Sequence, residues 1–289
     1  VHDALGARIA EKLGFEAITS GGYSATATLL GRPDTSQLTA TEMADYYARL
    51  CDSTDLPVFA DADTGYGNVT NTGRTVKAYE RAGVAGLFIE DQVFPKRCGH
   101  MAGKDVVPLE EFLAKLKAAL DARTDPDLVI MARTDALAVH GIDEAIERAQ
   151  AAREAGADLL FVEAPENQDQ MRRICAEIDG PCLANNLDGG LSPVLKADLL
   201  QEIGYATVAF PTAATYAVAH ALEAVLGEIR TTSVATALYD RMYSFETFNE
   251  LVGLGDLRRK EAGYQDSARD LLARRKNAGK AGGKNRAAE

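Results

Sequence analysis

Three features that this sequence lacks narrow the range of functions it can have. No apolar run approaches the roughly 20 residues that cross a bilayer, and no signal peptide is visible at the start, so we expect no membrane partner. Cysteine is scarce: the residues at positions 51, 98, 175 and 182 lack the close pairing of a disulfide framework and favour reduced thiols in the cytoplasm. Basic residues are in deficit, with 31 Lys and Arg against 43 Asp and Glu. The net charge of −12 argues against nucleic acid or an anionic membrane as the main partner.

What is present is a regular alternation of two kinds of segment. Short apolar runs, typical of strands buried on both faces, are followed by longer amphipathic stretches typical of helices. The predicted strands cover residues 16–20, 57–63, 85–91, 128–135, 158–165, 181–186 and 206–212. The helical stretches between them include residues 68–83, 108–123, 141–156 and 212–229. Gly83 and Gly156 stand where helix C-caps are expected.

This repeated strand–helix unit predicts a parallel sheet with right-handed crossovers. A closed (β/α)₈ barrel needs eight strands, whereas the sequence shows seven and opens on a helix over residues 1–15. We therefore interpret Val1 as the end of a first strand that precedes the sequence; the alternative is an open seven-stranded sheet. We expect an α/β barrel over residues 1–230, a helical extension over 231–270 and a basic, disordered tail over 271–289.

Polar residues favour the barrel, because they fall at the C-terminal ends of five successive predicted strands. They are Asp61 and Asp63, Glu90 and Asp91, Arg133 and Asp135, Glu163, and Asn185 and Asn186. A single Asp in such a place is often a helix N-cap. Five strands with the same feature instead predict a shared site, because the C-terminal strand ends of a barrel converge on one face.

The residue types at that face indicate metal and carboxylate chemistry. Asp61 and Asp63 point the same way from an extended strand, and Glu90 adds a third carboxylate from the next strand. Hard oxygen ligands without a His/Cys cluster of zinc spacing suit Mg²⁺ or Mn²⁺, which would chelate a 2-oxo or 2-hydroxy carboxylate. Arg133 would pair with a substrate carboxylate. The "SGGYS" turn at residues 20–24 could offer backbone N–H groups to another, although a plain glycine turn is an equal alternative.

The loop "FPKRCGHMAGK", residues 94–104, places one thiol among cationic groups. One interpretation is a basic surface loop with an incidental cysteine. The other is that Lys96, Arg97 and His100 lower the pKa of Cys98 and make it a proton donor or nucleophile. Because the loop follows a metal-bearing strand, it would act as a lid and protonate the carbanion left when a C–C bond next to carboxylates breaks.

Taken together, these motifs resemble the isocitrate lyase/phosphoenolpyruvate mutase superfamily. The matching segments are "LLGRPD", "DADTGYGN", "IEDQ", "FPKRCGH", "ARTDA", "FVEAP" and "LANN", in the family's order over roughly residues 2 to 250. The resemblance implies a (β/α)₈ barrel, Mg²⁺, and a homotetramer in which C-terminal helices are exchanged between subunits. The segment "SFETFNELVGL" at residues 244–254 is similar to the exchanged helix.

The resemblance also implies a role for each matching residue. Asp61, Asp63 and Glu90 would hold the metal directly or through water. The gating loop would consist of Lys96, Cys98, Gly99 and His100, with Cys98 as the acid. The substrate site would be lined by Gly21, Gly22, Tyr23, Asp34, Arg133, Glu163, Asn185 and Pro211. No general base is assigned, since Gly21 stands at the family's usual serine position and Thr19 at a tyrosine position.

The expected activity is a Mg²⁺-dependent lyase that cleaves a short substituted acid of the 2-methylisocitrate or 2,3-dimethylmalate type. Oxaloacetate hydrolysis or decarboxylation is an alternative, against which Pro211 counts, because that group is expected to have Ser there. A phosphoenolpyruvate/phosphonopyruvate-type mutase is another, and Cys98 counts against it. A carboxylate-binding protein without activity is a last alternative.

Overall fold

The computed structural model describes residues 1–101 and 103–284. The chain divides into two compact units, one of residues 1–224 and one that begins at Val225. The boundary therefore falls inside a helix, slightly before the predicted barrel end at residue 230. None of the helices in the described residues combines the length and apolar character needed to cross a bilayer.

The described residues form seven short strands, all parallel to their neighbours. They are β1 (Ile18–Ser20), β2 (Val58–Asp61), β3 (Gly86–Glu90), β4 (Val129–Thr134), β5 (Leu159–Val162), β6 (Leu183–Asn185) and β7 (Thr207–Ala209). The first five form one sheet in chain order and the last two form another. A parallel bridge between Leu160 and Cys182 links β5 to β6. The strand order thus follows the chain, as it does in a TIM-type barrel, and no strand lies between β7 and β1 within residues 1–101 and 103–284.

Helices follow each strand, and another helix precedes β1. They are α1 (Ala4–Lys12), α2 (Gly22–Leu30), α3 (Ala40–Asp52), α4 (Val69–Ala82), α5 (Leu109–Ala122), α6 (Leu137–His140), α7 (Ile142–Ala155), α8 (Gln168–Glu177), α9 (Ala197–Ile203), α10 (Ala213–Thr232), α11 (Phe245–Leu251) and α12 (Leu254–Lys284), with a 3₁₀ turn at Thr236–Arg241.

Local sequence explains where these helices begin and end. Asn68 forms a capping box at the start of α4, where its side chain accepts from the backbone N–H groups of Thr70 and Asn71. Gly83 and Gly156 adopt the left-handed conformation after α4 and α7, which confirms them as C-caps.

Side chains alternate between two cores along each strand. Leu87 and Ile89 of β3 point outwards and are fully buried against the helices. Phe88 points inwards, where it packs with Met131 and Phe161 on the barrel axis. Because a strand repeats every two residues, the next inward position on β3 is Glu90. The same register carries polar side chains to the rim on each neighbouring strand.

The C-terminal prediction differs from the structure. Residues 271–284 belong to α12 rather than to an irregular tail, because Ala, Leu, Arg and Lys dominate the segment and are good helix formers. Residues 285–289 of the predicted tail lie outside the described residues.

Candidate active site

Five strands each place one polar side chain at the same end of the barrel, which we call the mouth. On each strand this residue follows an inward apolar residue by two positions: Phe59 and Asp61, Phe88 and Glu90, Met131 and Arg133, Phe161 and Glu163, Leu183 and Asn185. The strands are in parallel register, with Glu90 opposite Arg133 on β3 and β4. The predicted convergence of the strand ends is therefore what the structure shows.

A cavity of about 300 Å³ lies at this mouth and extends down the barrel axis. Of the residues given a role by the family resemblance, all except Asp63 and Glu90 line it: Gly21, Gly22, Tyr23, Asp34, Asp61, Lys96, Cys98, Gly99, His100, Arg133, Glu163, Asn185 and Pro211. The other predicted strand-end residues, Asp91, Asp135 and Asn186, are buried and do not line it. Asp63 and Glu90 are buried behind this lining and contact it through Lys96 and Arg133.

One side of the mouth is a cluster of carboxylates around a single lysine. Lys96 Nζ lies 2.7 Å from Asp34 Oδ2 and 2.9 Å from Asp63 Oδ1. Asp61 accepts hydrogen bonds from the backbone N–H of Gly22 at 2.6 Å and of Asp63 at 2.9 Å. Burial opposes the charge on Lys96, but the carboxylates of Asp63 and Asp61 raise its pKa well above the ordinary value. Lys96 is thus a fixed cation.

The other side is organised by Arg133. Its Nε lies 2.9 Å from Asp135 Oδ2 and 3.2 Å from Glu90 Oε2, and its Nη2 lies 2.9 Å from Glu163 Oε2. The guanidinium also stacks over Phe161, with 5.2 Å to the ring centroid. Burial alone would raise the pKa of Glu163, but Arg133 and then His100 lower it to about 2. This half of the site is therefore an ion-pair network that holds its geometry through Nε and Nη2 of Arg133.

The residues of the acidic cluster fit a hard divalent cation. Burial raises the pKa of Asp63 to about 7, with Lys96 opposing and Asp61 adding to the effect. Glu90 is buried, and apart from the ion pair with Arg133 at 3.2 Å neither of its carboxylate oxygens has a hydrogen-bond partner in the described part of the chain. A divalent cation would offset the buried negative charge of both carboxylates, and Mg²⁺ prefers oxygen ligands. Within residues 1–101 and 103–284, no three His, Cys, Asp or Glu side chains converge as direct ligands, so water would complete the coordination.

The loop after β3 folds over the Arg133 network. His100 Nε2 lies 3.0 Å from Glu163 Oε1, and its Nδ1 accepts a hydrogen bond from the backbone N–H of Leu191 at 2.9 Å. The imidazole therefore carries its proton on Nε2 when neutral. Gly99 lies so close to Arg133 and Glu163 that a Cβ atom there would overlap both side chains. Cys98 between these contacts lines the cavity.

The prediction that neighbouring cations lower the pKa of Cys98 is wrong. Burial raises it above the ordinary value, and the backbone N–H of His100 and Arg133 oppose this only in part. Lys96 and His100 are engaged by carboxylates and do not stabilise a thiolate. The thiol keeps its proton at neutral pH, which suits an acid and not a nucleophile.

Sequence reasoning missed Lys104 in this site. Its Nζ contacts the carbonyl oxygen of Gly99 and lies 2.9 Å from Asp135 Oδ1, so it joins the loop to the Arg133 network. The sequence did indicate Asp135, because it stands at the C-terminal end of a predicted strand, as Asp61 and Glu90 do. No sequence pattern indicated Lys104, because its position depends on the path of the loop in three dimensions.

The turn after β1 does not supply a serine hydroxyl to the cavity. Ser20 Oγ bonds Tyr46 Oη at 2.7 Å and is turned away from the cavity lining, which contains Thr19, Gly21 and Gly22. The general base therefore stays unassigned.

Comparison with known proteins agrees with this site. A family model described as phosphoenolpyruvate phosphomutase matches residues 1–230. The chain belongs to this family. It is 45% identical over 263 residues to the 2,3-dimethylmalate lyase of Eubacterium barkeri, which covers 91% of each chain. It is 42% identical over 246 residues to the 2-methylisocitrate lyase of Escherichia coli, covering 85% of this chain and 82% of the relative.

Two solved enzyme structures share the fold. Oxaloacetate acetylhydrolase in complex with 3,3-difluorooxalacetate superposes with a TM-score of 0.87 at 35% identity, over 92% of this chain and 90% of that one. A phosphonopyruvate hydrolase complex with oxalate and Mg²⁺ gives 0.82 at 30% identity, over 92% of each chain. The predicted superfamily and the TIM-type fold are confirmed, and so is the prediction of an enzyme of the lyase class.

Proposed function

We propose that this protein is a Mg²⁺-dependent carbon–carbon lyase. Its substrate is a short substituted 2-hydroxy di- or tricarboxylate of the 2,3-dimethylmalate or 2-methylisocitrate type, and its products are a 2-oxo acid and a carboxylic acid. The observation that carries this proposal is a half-buried Cys98 thiol, its pKa raised by burial, that lines the same cavity as Arg133, Asp34 and Asp61. The similarity to lyases named for these two substrates supports it.

Each residue has a part in the proposed cleavage. The 2-hydroxyl loses its proton to a base, the bond between C2 and C3 breaks, and C2 becomes a carbonyl carbon. The electron pair of the broken bond passes to C3, which takes a proton from Cys98 Sγ. The guanidinium of Arg133 faces the cavity and would bind a carboxylate. His100 and Gly99 hold the loop so that water is excluded.

Asp61, Asp63 and Glu90 would hold Mg²⁺, directly or through water. When bound, the ion would supply Lewis-acid stabilisation of negative charge on the 2-oxo acid fragment. Mn²⁺, which takes the same ligands, is an alternative to Mg²⁺. The phosphonopyruvate hydrolase complex with Mg²⁺ supports this cofactor.

Release of 2-oxo acid tests the proposal. Wild type, Cys98→Ser and the control Cys51→Ser would be assayed with Mg²⁺ and with EDTA. The panel is 2,3-dimethylmalate, 2-methylisocitrate, isocitrate and oxaloacetate. We expect EDTA-sensitive turnover of a substituted acid that falls by at least ~10²-fold in Cys98→Ser, as loss of a general acid does, and persists in Cys51→Ser. No turnover of any acid by a protein that binds Mg²⁺ would contradict the lyase proposal.

Hydrolysis of an oxaloacetate-like acid is the second candidate, favoured by the similarity to oxaloacetate acetylhydrolase. Pro211 lines the cavity without a hydroxyl, which counts against it. Hydrolysis consumes oxaloacetate and gives oxalate and acetate, so loss of oxaloacetate with formation of oxalate, and no 2-oxo acid from the other three acids, would select this candidate. A phosphonate-type mutase gives no 2-oxo acid from any of these substrates.

We further propose a homotetramer with exchanged C-terminal helices, as the family resemblance implies. Leu257, Tyr264 and Leu271 support this proposal. They recur at seven-residue intervals on one face of α12 and are 55%, 74% and 59% exposed. A seven-residue apolar repeat on an exposed helix face suits packing against another helix, and a second copy of this chain would supply one.

A further inference from the structure

Two buried tyrosines, from two helices that do not line the cavity, form hydrogen bonds with the main chain of Asp61. Tyr47 of α3 and Tyr79 of α4 are both fully buried. The Tyr47 hydroxyl accepts a hydrogen bond from the N–H of Asp61 at 2.7 Å. The Tyr79 hydroxyl donates to the carbonyl oxygen of Asp61 at 3.0 Å, and it also lies 3.3 Å from the hydroxyl of Tyr66. Both main-chain polar groups of one rim residue are thus held by phenols.

Asp61 needs these hydrogen bonds because the pairing of β1 with β2 ends one residue before it. The pairing of β1 with β2 ends at Ser20 and Ala60, since the chain turns into α2 directly afterwards. Asp61 therefore has no ladder partner on that side. The Tyr47 hydroxyl fills the gap: it accepts from Asp61 N–H and donates to the carbonyl oxygen of Ser20 at 2.6 Å. The Tyr47 hydroxyl therefore takes the place of a direct main-chain hydrogen bond between Asp61 and Ser20.

The gap also lets the carboxylate of Asp61 reach its own partners. Its Oδ2 accepts from the N–H of Gly22 at 2.6 Å and its Oδ1 from the N–H of Asp63 at 2.9 Å. The direction of these bonds depends on the backbone of Asp61, which the sheet no longer fixes on the β1 side. β3 holds this segment on its other side, where Asp61 pairs with Phe88, and on the β1 side the two tyrosine hydroxyls hold it.

We propose that Tyr47 and Tyr79 are positioning residues for the divalent-cation site. They hold the main chain of Asp61 so that its carboxylate faces the acidic cluster and the turn at Gly22. This inference rests on the proposed metal dependence. Removing a partner that orients a metal ligand commonly lowers metal affinity by about 10- to 100-fold.

Mn²⁺ binding to the full chain tests the inference without an activity assay. Free Mn²⁺ would be titrated by electron paramagnetic resonance in wild type, Tyr47→Phe and Tyr79→Phe, which keep the ring and remove the hydroxyl. We expect Kd to rise by about tenfold in each. Tyr46→Phe is the matched control: Tyr46 is also on α3 and buried, but it bonds Ser20 Oγ and the carbonyl oxygen of His2. Its Kd should equal that of wild type.

A double-mutant cycle of Tyr47→Phe with Asp61→Asn distinguishes positioning of the Asp61 carboxylate from a general loss of rigidity in the protein. Without the Asp61 carboxylate, Tyr47→Phe should have no further effect on Kd, whereas equal losses in both backgrounds would overturn the inference. Wild-type Kd in Tyr47→Phe and Tyr79→Phe, or an equal loss in Tyr46→Phe, would also overturn it and leave the proposed cofactor standing. A wild type that binds no Mn²⁺ would overturn the proposed cofactor and this inference with it. Circular dichroism below the melting transition shows whether each variant is folded.

Discussion

Gly99 is the residue at which the loop carrying Cys98 meets the barrel rim. A Cβ atom there would overlap Arg133 Nη2 and Glu163 Oε2, and neither can retreat because both belong to the buried ion-pair network. We expect Gly99→Ala to hold the loop away from the rim and to lower kcat/KM by at least about tenfold, equivalent to ~1.4 kcal/mol. Steady-state kinetics with the substrate found above measures this.

Gly227→Ala on α10 is the control for that substitution. A Cβ atom at Gly227 meets nothing within 4 Å, so activity should be unchanged, and the helix should gain about 0.5–1 kcal/mol. Wild-type kcat/KM in Gly99→Ala would show that the loop need not approach Arg133 during turnover.

Lys104 joins the same loop to the rim by a different contact. Lys104→Met keeps the length of the side chain but loses the contacts to the Gly99 carbonyl oxygen and to Asp135. Since the closed loop brings Cys98 to the cavity, we expect kcat to fall by roughly tenfold, about the value of one charged hydrogen bond. Lys117→Met, at an exposed position of α5, should behave as wild type. Equal kcat in both variants would exclude a role for Lys104 in loop closure.

At the scale of elements, a buried ion pair ties α7 to the strands. Arg148 of α7 lies 3.2 Å from Asp91, which follows β3, and donates to the carbonyl oxygen of Val107 at 2.8 Å. Asp91 in turn accepts from Thr134 Oγ1 and from the N–H of Asp135 after β4. The pair therefore supports the strand end that carries Asp135.

Removing Arg148 should be costly to stability. Arg148→Met leaves Asp91 buried without its cation, so we expect the free energy of unfolding to fall by about 3–5 kcal/mol in urea denaturation. Arg172→Met is the control, because the Arg172–Asp169 pair on α8 is largely exposed and should contribute less than about 1 kcal/mol. A loss below 1 kcal/mol in Arg148→Met would mean that Asp91 is hydrated or neutral.

The whole molecule is expected to associate through α12. Tyr264→Glu combined with Leu271→Glu places two charges on its exposed apolar face, and we expect the mass in light scattering to fall from about four chains of 30.9 kDa to a smaller species. Ala262→Glu adds a charge to the opposite face of α12 and should leave the mass unchanged. A wild type that is already monomeric would refute the tetramer.

The sequence by itself determined the strand order and the identity of most rim residues. Strands buried on both faces are continuous apolar runs, and the two-residue repeat of a strand fixes which polar residue shares a face with Phe88, Met131 or Phe161. Because parallel strands end on one face of a barrel, Asp61, Glu90, Arg133, Glu163 and Asn185 could be grouped from their spacing alone.

Only the tertiary structure decided what surrounds these residues. The pKa of Cys98 depends on burial and on which cations are already paired with carboxylates, and the sequence shows the cations without their partners. Tyr47, Tyr79 and Lys104 reach the site from helices and a returning loop. Such contacts join residues far apart in the chain, so no local pattern contains them. Periodicity fixes which way a side chain points, and only packing fixes what it meets.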